Sequence, residues 1–132
     1  MVKGFEELTC DLTDYELTVI RPRIADMLRA AVGRENAITN KQIVERLKKD
    51  GYTIGGPRVR GVIHDIRVQG SVKLVLATSD GYFVSKNSEE IDDYIESLNS
   101  RIVAIRSVRS SIIRQMLDSH QPGDLFGGVS CG

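Results

Sequence analysis

Residues 38–84 read ITNKQIVERLKKDGYTIGGPRVRGVIHDIRVQGSVKLVLATSDGYFV, and two helices followed by a hairpin can be read from them directly. Thr39 with Gln42 three residues on is a capping box, and Ile38 and Ile43 flank it as a hydrophobic staple. Ile43, Val44 and Leu47 then form the apolar stripe of a short helix that stops at Gly51. Gly55-Gly56 permit a turn, and Pro57 suits the first helical position of the next helix. Val59, Val62, Ile63 and Ile66 follow at i, i+3, i+4 and i+7, so one side of this helix is apolar. Gly70 closes it. Val72–Ala77 is predicted as a strand, Ser79-Asp80-Gly81 as a tight turn, and Tyr82–Val84 as the returning strand.

Working outward toward the N-terminus, Thr13 and Glu16 repeat the capping-box device, with Leu12 and Leu17 as the staple. Leu17, Ile20, Ile24, Met27, Leu28 and Ala31 keep helical spacing up to Gly33. Pro22 interrupts the run. It has no N–H for the Thr18 carbonyl, which predicts a kink or a short break. Residues 1–12 have no period and are expected to form an N-terminal arm. Toward the C-terminus, Asn87 or Ser88 caps a long helix over residues 87–117. Ile91, Ile95, Leu98, Ile102, Ile105 and Ile112 fall on alternating four- and three-residue spacings, with Arg109 in one slot, as in a coiled-coil seam. Residues 118–132 (DSHQPGDLFGGVSCG) are expected to be a flexible tail.

The predicted fold class is therefore mainly α with a small β-hairpin, followed by a long C-terminal helix. The order of elements over residues 13–86 resembles a winged helix-turn-helix domain, with ITNKQIVERLKKDGY as the first helix of the pair, GGPRVRGVIHDIRVQG as the recognition helix and VKLVLATSDGYFV as the wing. The chain is similar in particular to small winged-helix proteins of bacteriophages and mobile elements of gut bacteria. The resemblance implies a duplex DNA-binding protein that serves as a transcriptional regulator or accessory factor and reads the major groove with helix 57–69. The alternative is a winged-helix protein-interaction module, an adaptor or inhibitor with a host or phage protein partner, since one fold serves both uses.

Charge and helix geometry point the same way. The formal net charge is zero over 132 residues. Yet residues 1–33 carry −2, residues 34–86 carry +5 and residues 87–132 carry −3, so the middle of the chain is suited to a polyanion. On helix 57–69, Arg60, His64 and Arg67 project from one flank of the apolar stripe and Arg58 and Asp65 from the other. Arginine forks match guanine edges and phosphates. Lys41, in the first turn of the preceding helix, and Lys73, beside the hairpin, are the candidate phosphate contacts. The expected DNA-binding set is Lys41, Arg58, Arg60, His64, Arg67 and Lys73. The hairpin tip lacks Lys and Arg, and Asp80 there repels phosphate, so the wing is expected to touch DNA weakly or not at all.

The long helix is acidic early (Glu89, Glu90, Asp92, Asp93, Glu96) and basic late (Arg101, Arg106, Arg109, Arg114). This suits its dipole and also the pairing of two copies, so a homodimer is expected; the alternative is that the stripe packs back on the chain's own first helix, against Leu17, Ile20 and Ile24. A dimer would present two recognition helices to a two-fold-symmetric site. No metal-ligand spacing, phosphate-binding loop or nucleophile motif occurs, and neither an enzyme nor a cofactor is expected. Aromatic residues are 5% of the chain and Trp is absent, which argues against base-stacking platforms for single strands. No apolar run approaches membrane-spanning length, and MVKGFEELTCDL lacks the apolar stretch of a leader. Cys10 and Cys131 form no metal or disulfide framework. A reducing cytoplasm is the expected location.

Overall fold

The computed structural model describes residues 12–119. They divide into two compact units, the first ending at Ile91 and the second beginning at Asp92. The capping box near the N-terminus forms as the sequence predicts: the Glu16 N–H donates to Thr13 Oγ1 at 3.1 Å and the Thr13 N–H donates to Glu16 Oε1 at 2.9 Å. A π-helical turn, Glu16–Ile20, then leads into α1, Arg21–Ala30. Pro22 falls in the first turn of α1. The break expected at Pro22 thus takes the form of a widened turn just before it, which spares the proline ring a clash with an α-helical carbonyl. Leu12, expected in the arm, instead packs against the core.

After Gly33 and a 3-10 turn, Arg34–Asn36, the chain reaches α2, Asn40–Lys49, whose capping box between Thr39 and Gln42 is complete. Helix α3 runs from Gly56 to Gln69 and ends on Gly70 at φ +76°, the left-handed cap that glycine permits. The hairpin comprises β1, Val75–Thr78, and β2, Gly81–Val84, paired antiparallel from Val75 opposite Val84 to Thr78 opposite Gly81. Ile38 adds a backbone bridge to Tyr82, and Val32 one to Val84, so the segment between α1 and α2 edges the hairpin. Gly81 is required there: at φ +119°, an added Cβ would lie 2.7 Å from the Ile38 carbonyl oxygen.

The strand predicted over 72–77 begins only at Val75. Val72 is turned into the core, Leu74 adopts φ +61°, and the Leu74 carbonyl accepts the Ser85 N–H at 3.0 Å. A tight turn thus replaces the first strand residues. The core joins Ile20, Ile24 and Leu28 to Ile43 and Leu47 of α2 and to Val59, Val62, Ile63 and Ile66 of α3. All four apolar α3 positions are buried, as their spacing predicts. Helix α4, Ser88–Ser119, has no buried residue. Asn87 caps it, accepting the Glu90 N–H on Oδ1 at 3.1 Å. It runs two residues past the predicted end, and the rest of the predicted tail, like residues 1–11, lies outside the described residues.

Candidate nucleic-acid interface

Helix α3 is held on its apolar side by α1 and α2, which leaves its outer surface to be divided between neighbours and solvent. The N-terminal segment takes one flank. Leu12 lies against Gly61, where an added Cβ would meet Leu12 Cδ2 at 3.7 Å. Arg58 reaches back to Glu16 with both arms of its fork, Nε donating to Oε2 at 2.8 Å and Nη2 to Oε1. Asp65 on the same flank accepts from Arg21 Nη1 at 2.7 Å. The Glu16 carboxylate is buried, and the Arg58 hydrogen bonds hold it well below the usual carboxylate range, at about 2.

The opposite flank is open. Arg60 and His64, one helical turn apart, are both exposed, and Val68 on the next turn is 67% exposed. Arg67 is half-buried and donates from Nε to the Val75 carbonyl at 3.2 Å, so it ties α3 to the start of β1. The four α3 residues expected at the groove therefore divide. Arg60 and His64 share the open face, Arg67 stands at its edge with a backbone partner, and Arg58 is on the far flank in an ion pair.

Lys41 is exposed in the first turn of α2. Asn40 beside it donates from Nδ2 to the Gly56 carbonyl at 3.2 Å, which brings the N-termini of α2 and α3 together. Lys41 thus stands near the positive ends of two helices, an arrangement that favours phosphate. Lys73 is exposed in the turn before β1. With Arg29 and Lys86 it rims a shallow cleft of about 440 Å³. By the register of the strands, this is the end of the hairpin away from its tip.

Arg34 is the residue sequence reasoning missed. Its Nη1 donates to Asp80 Oδ2 at 3.0 Å, its Nε lies 3.5 Å from Glu90 Oε2, and its guanidinium sits 5.2 Å above the Phe83 ring. The Asp80 hydrogen bond strengthens its hold on its proton. The acidic hairpin tip is therefore neutralised from within the domain. A lone arginine 46 positions from its partner gives no sequence signal for this.

Among the described residues, no group of three His, Cys, Asp or Glu side chains is placed to hold a metal ion, and no helix is long and apolar enough to cross a membrane. No protein-family model matches the chain, and comparison with curated proteins and with solved structures likewise gives no match.

Proposed function

We propose that residues 13–86 form a winged helix-turn-helix domain that binds duplex DNA. Helix α3 enters the major groove by its Arg60–His64–Val68 face, Lys41 and Lys73 contact phosphates, and α4 pairs two copies. The reading follows the order helix, helix pair, hairpin, with the segment between α1 and α2 bridged to the hairpin at Val32 and Ile38. It makes the chain a regulator or accessory factor of the kind the sequence resemblance implies. The observation that carries it is electrostatic. Three acidic groups on α3, against it or at the hairpin tip are already engaged: Glu16 with Arg58, Asp65 with Arg21 and Asp80 with Arg34. Arg60, His64 and Lys41 are left facing solvent. Phosphate then meets Arg60 and Lys41 without competition from these carboxylates.

One observation favours the alternative, docking of a host or phage protein. Arg58 and Arg67 are hydrogen-bonded inside the domain, which thins the cationic face. Salt separates the two readings. Anisotropy of labelled random-sequence duplex should report micromolar binding at about 50 mM salt that collapses by about 200 mM, because bound phosphates release counterions. Arg60→Ala, at an exposed site, should weaken binding to a selected site by about 1–3 kcal/mol with the fold intact. Absence of duplex binding by the folded protein at low salt overturns the DNA reading.

A further inference from the structure

The cleft beside Lys73 lies at the C-terminal end of α3. Gly70 and Ser71, just past that helix, line it together with the last turn of α1 and the open end of the hairpin. Helix α3 has 14 residues, so about 21 Å of helix axis separates the cleft from the start of α3, where Lys41 stands. Val32, Leu74 and Val84 give the cleft an apolar lining, with Val32 36% and Leu74 54% exposed. Its rim is cationic: Arg29, Lys73 and Lys86 are all exposed. Arg29 pairs with Asp26, itself 78% exposed, whereas Lys73 and Lys86 form no ion pair among the described residues. No carboxylate is among the described residues that line the cleft. The nearby Glu90 is engaged by Ser85 Oγ at 2.6 Å and faces Arg34. Leu74 holds a bulky apolar side chain in solvent from a left-handed backbone, φ +61°. A turn needs no leucine for that, since glycine or asparagine takes the conformation at lower cost, and strain of this kind collects at binding sites.

We infer that this cleft docks a segment of a partner protein, an acidic peptide that carries a large apolar side chain. The apolar side chain covers Leu74, Val32 and Val84, which takes exposed hydrocarbon out of water. Carboxylates beside it meet Lys86, Lys73 and Arg29, and this complementarity sets which peptide docks more than how tightly. A volume of about 440 Å³ is of the size that small binding sites have. A phosphate backbone would use the rim and leave the apolar lining wet, so a peptide fits the cleft better than a nucleic acid does. Arg60 and His64 do not line the cleft. One domain can therefore hold duplex and peptide together, and the protein then links a partner to DNA. The docking itself does not depend on the DNA reading. Lys73 is common to the cleft and to the proposed phosphate contacts, so the test leaves it unchanged.

The test uses the full chain and a short fluorescein-labelled synthetic peptide in which Asp alternates with Leu and Phe. One control peptide has Lys for every Asp, and a second has Ser for every Leu and Phe. Anisotropy should report saturable binding of the first peptide and several-fold weaker binding of both controls. The double variant Lys86→Gln/Leu74→Asn should weaken peptide binding several-fold, with Leu74→Asn alone, which changes no charge, already losing part of it. Both positions are exposed, and a urea transition no lower than the parent's shows that the fold is kept. Arg60→Ala should leave peptide binding unchanged, and the double variant should leave duplex binding unchanged. No saturable binding of the first peptide at millimolar concentration overturns the inference, as does binding that the double variant does not alter. Equal binding of the serine control means that the cleft takes an anion without an apolar group, which overturns the peptide. A fall in duplex affinity in the double variant gives the cleft to DNA instead, and a two-chain mass that the double variant reduces to one chain gives it to a second copy. Absence of duplex binding by the parent overturns the DNA reading, while peptide binding, read without DNA, still decides the docking.

Discussion

The Glu16 carboxylate accepts the Thr13 N–H and the Arg58 guanidinium while only 7% of its side chain is exposed. Its value falls from 4.5 in the unfolded chain to about 2 in the folded protein. A lowered folded value means that the unfolded chain takes up the proton more readily. The stabilisation is therefore complete above about pH 4.5 and is lost as pH falls toward 2. The Arg58 side chain is 43% exposed, so solvent screens the pair, and about 1–2 kcal/mol is a fair magnitude. Urea unfolding across pH 2–6 should show Glu16→Gln less stable than the parent at pH 6, with the difference vanishing toward pH 2. Arg58→Ala leaves the carboxylate buried without its main partner and should cost about 2–3 kcal/mol at neutral pH. A loss of DNA affinity in that variant would thus report folding as well as contact, which makes Arg60 the better probe. At this scale the sequence shows only half of the arrangement. The Thr13–Glu16 box is local and legible, whereas the partner of Glu16 lies 42 positions away, and helical spacing does not say which element will cover the Arg58 flank.

Among the elements, α2 and α3 are read correctly because their signals are local: a Thr39–Gln42 box, a four-residue apolar stripe, and Gly51 and Gly70 after their ends. The hairpin turn is legible for the same reason. The start of β1 is not. Val72-Lys73-Leu74 alternates as a strand would, but the fold needs Val72 inward and a reversal immediately after it. Leu74 meets that need at φ +61° while 54% exposed. A branched, bulky residue in the left-handed region costs about 1–2 kcal/mol, and its exposed side chain offsets little of it. Asn tolerates that conformation better. Leu74→Asn should therefore raise unfolding stability by about 0.5–1 kcal/mol, read as a higher urea midpoint at unchanged slope. A fall in stability would mean that the Leu74 side chain, and not the turn, holds the start of the hairpin.

For the whole molecule, the first unit has a complete core of its own, with Ile20 and Ile24 fully buried in it, whereas α4 has no buried residue at all. The seam residues of α4 are legible from spacing. Their exposure is not, because the same stripe would suit packing on the chain's own first helix, whose apolar side the core already uses. Folding and pairing should consequently separate. Ile105, 66% exposed, sits mid-seam, and Ile105→Glu places two carboxylates in the central layers of a paired helix. The expected outcome is a single-chain mass with the thermal transition of the first unit unchanged. DNA binding by two linked recognition helices gains from effective concentration, so separating them should weaken binding to a two-fold-symmetric site by on the order of 10²-fold. It should also roughly halve the dependence of log affinity on log salt, since half the phosphates are then contacted. If Ile105→Glu yields single chains whose affinity and salt slope match the parent, one domain makes all the contacts, and α4 serves some purpose other than presenting two readers to one site.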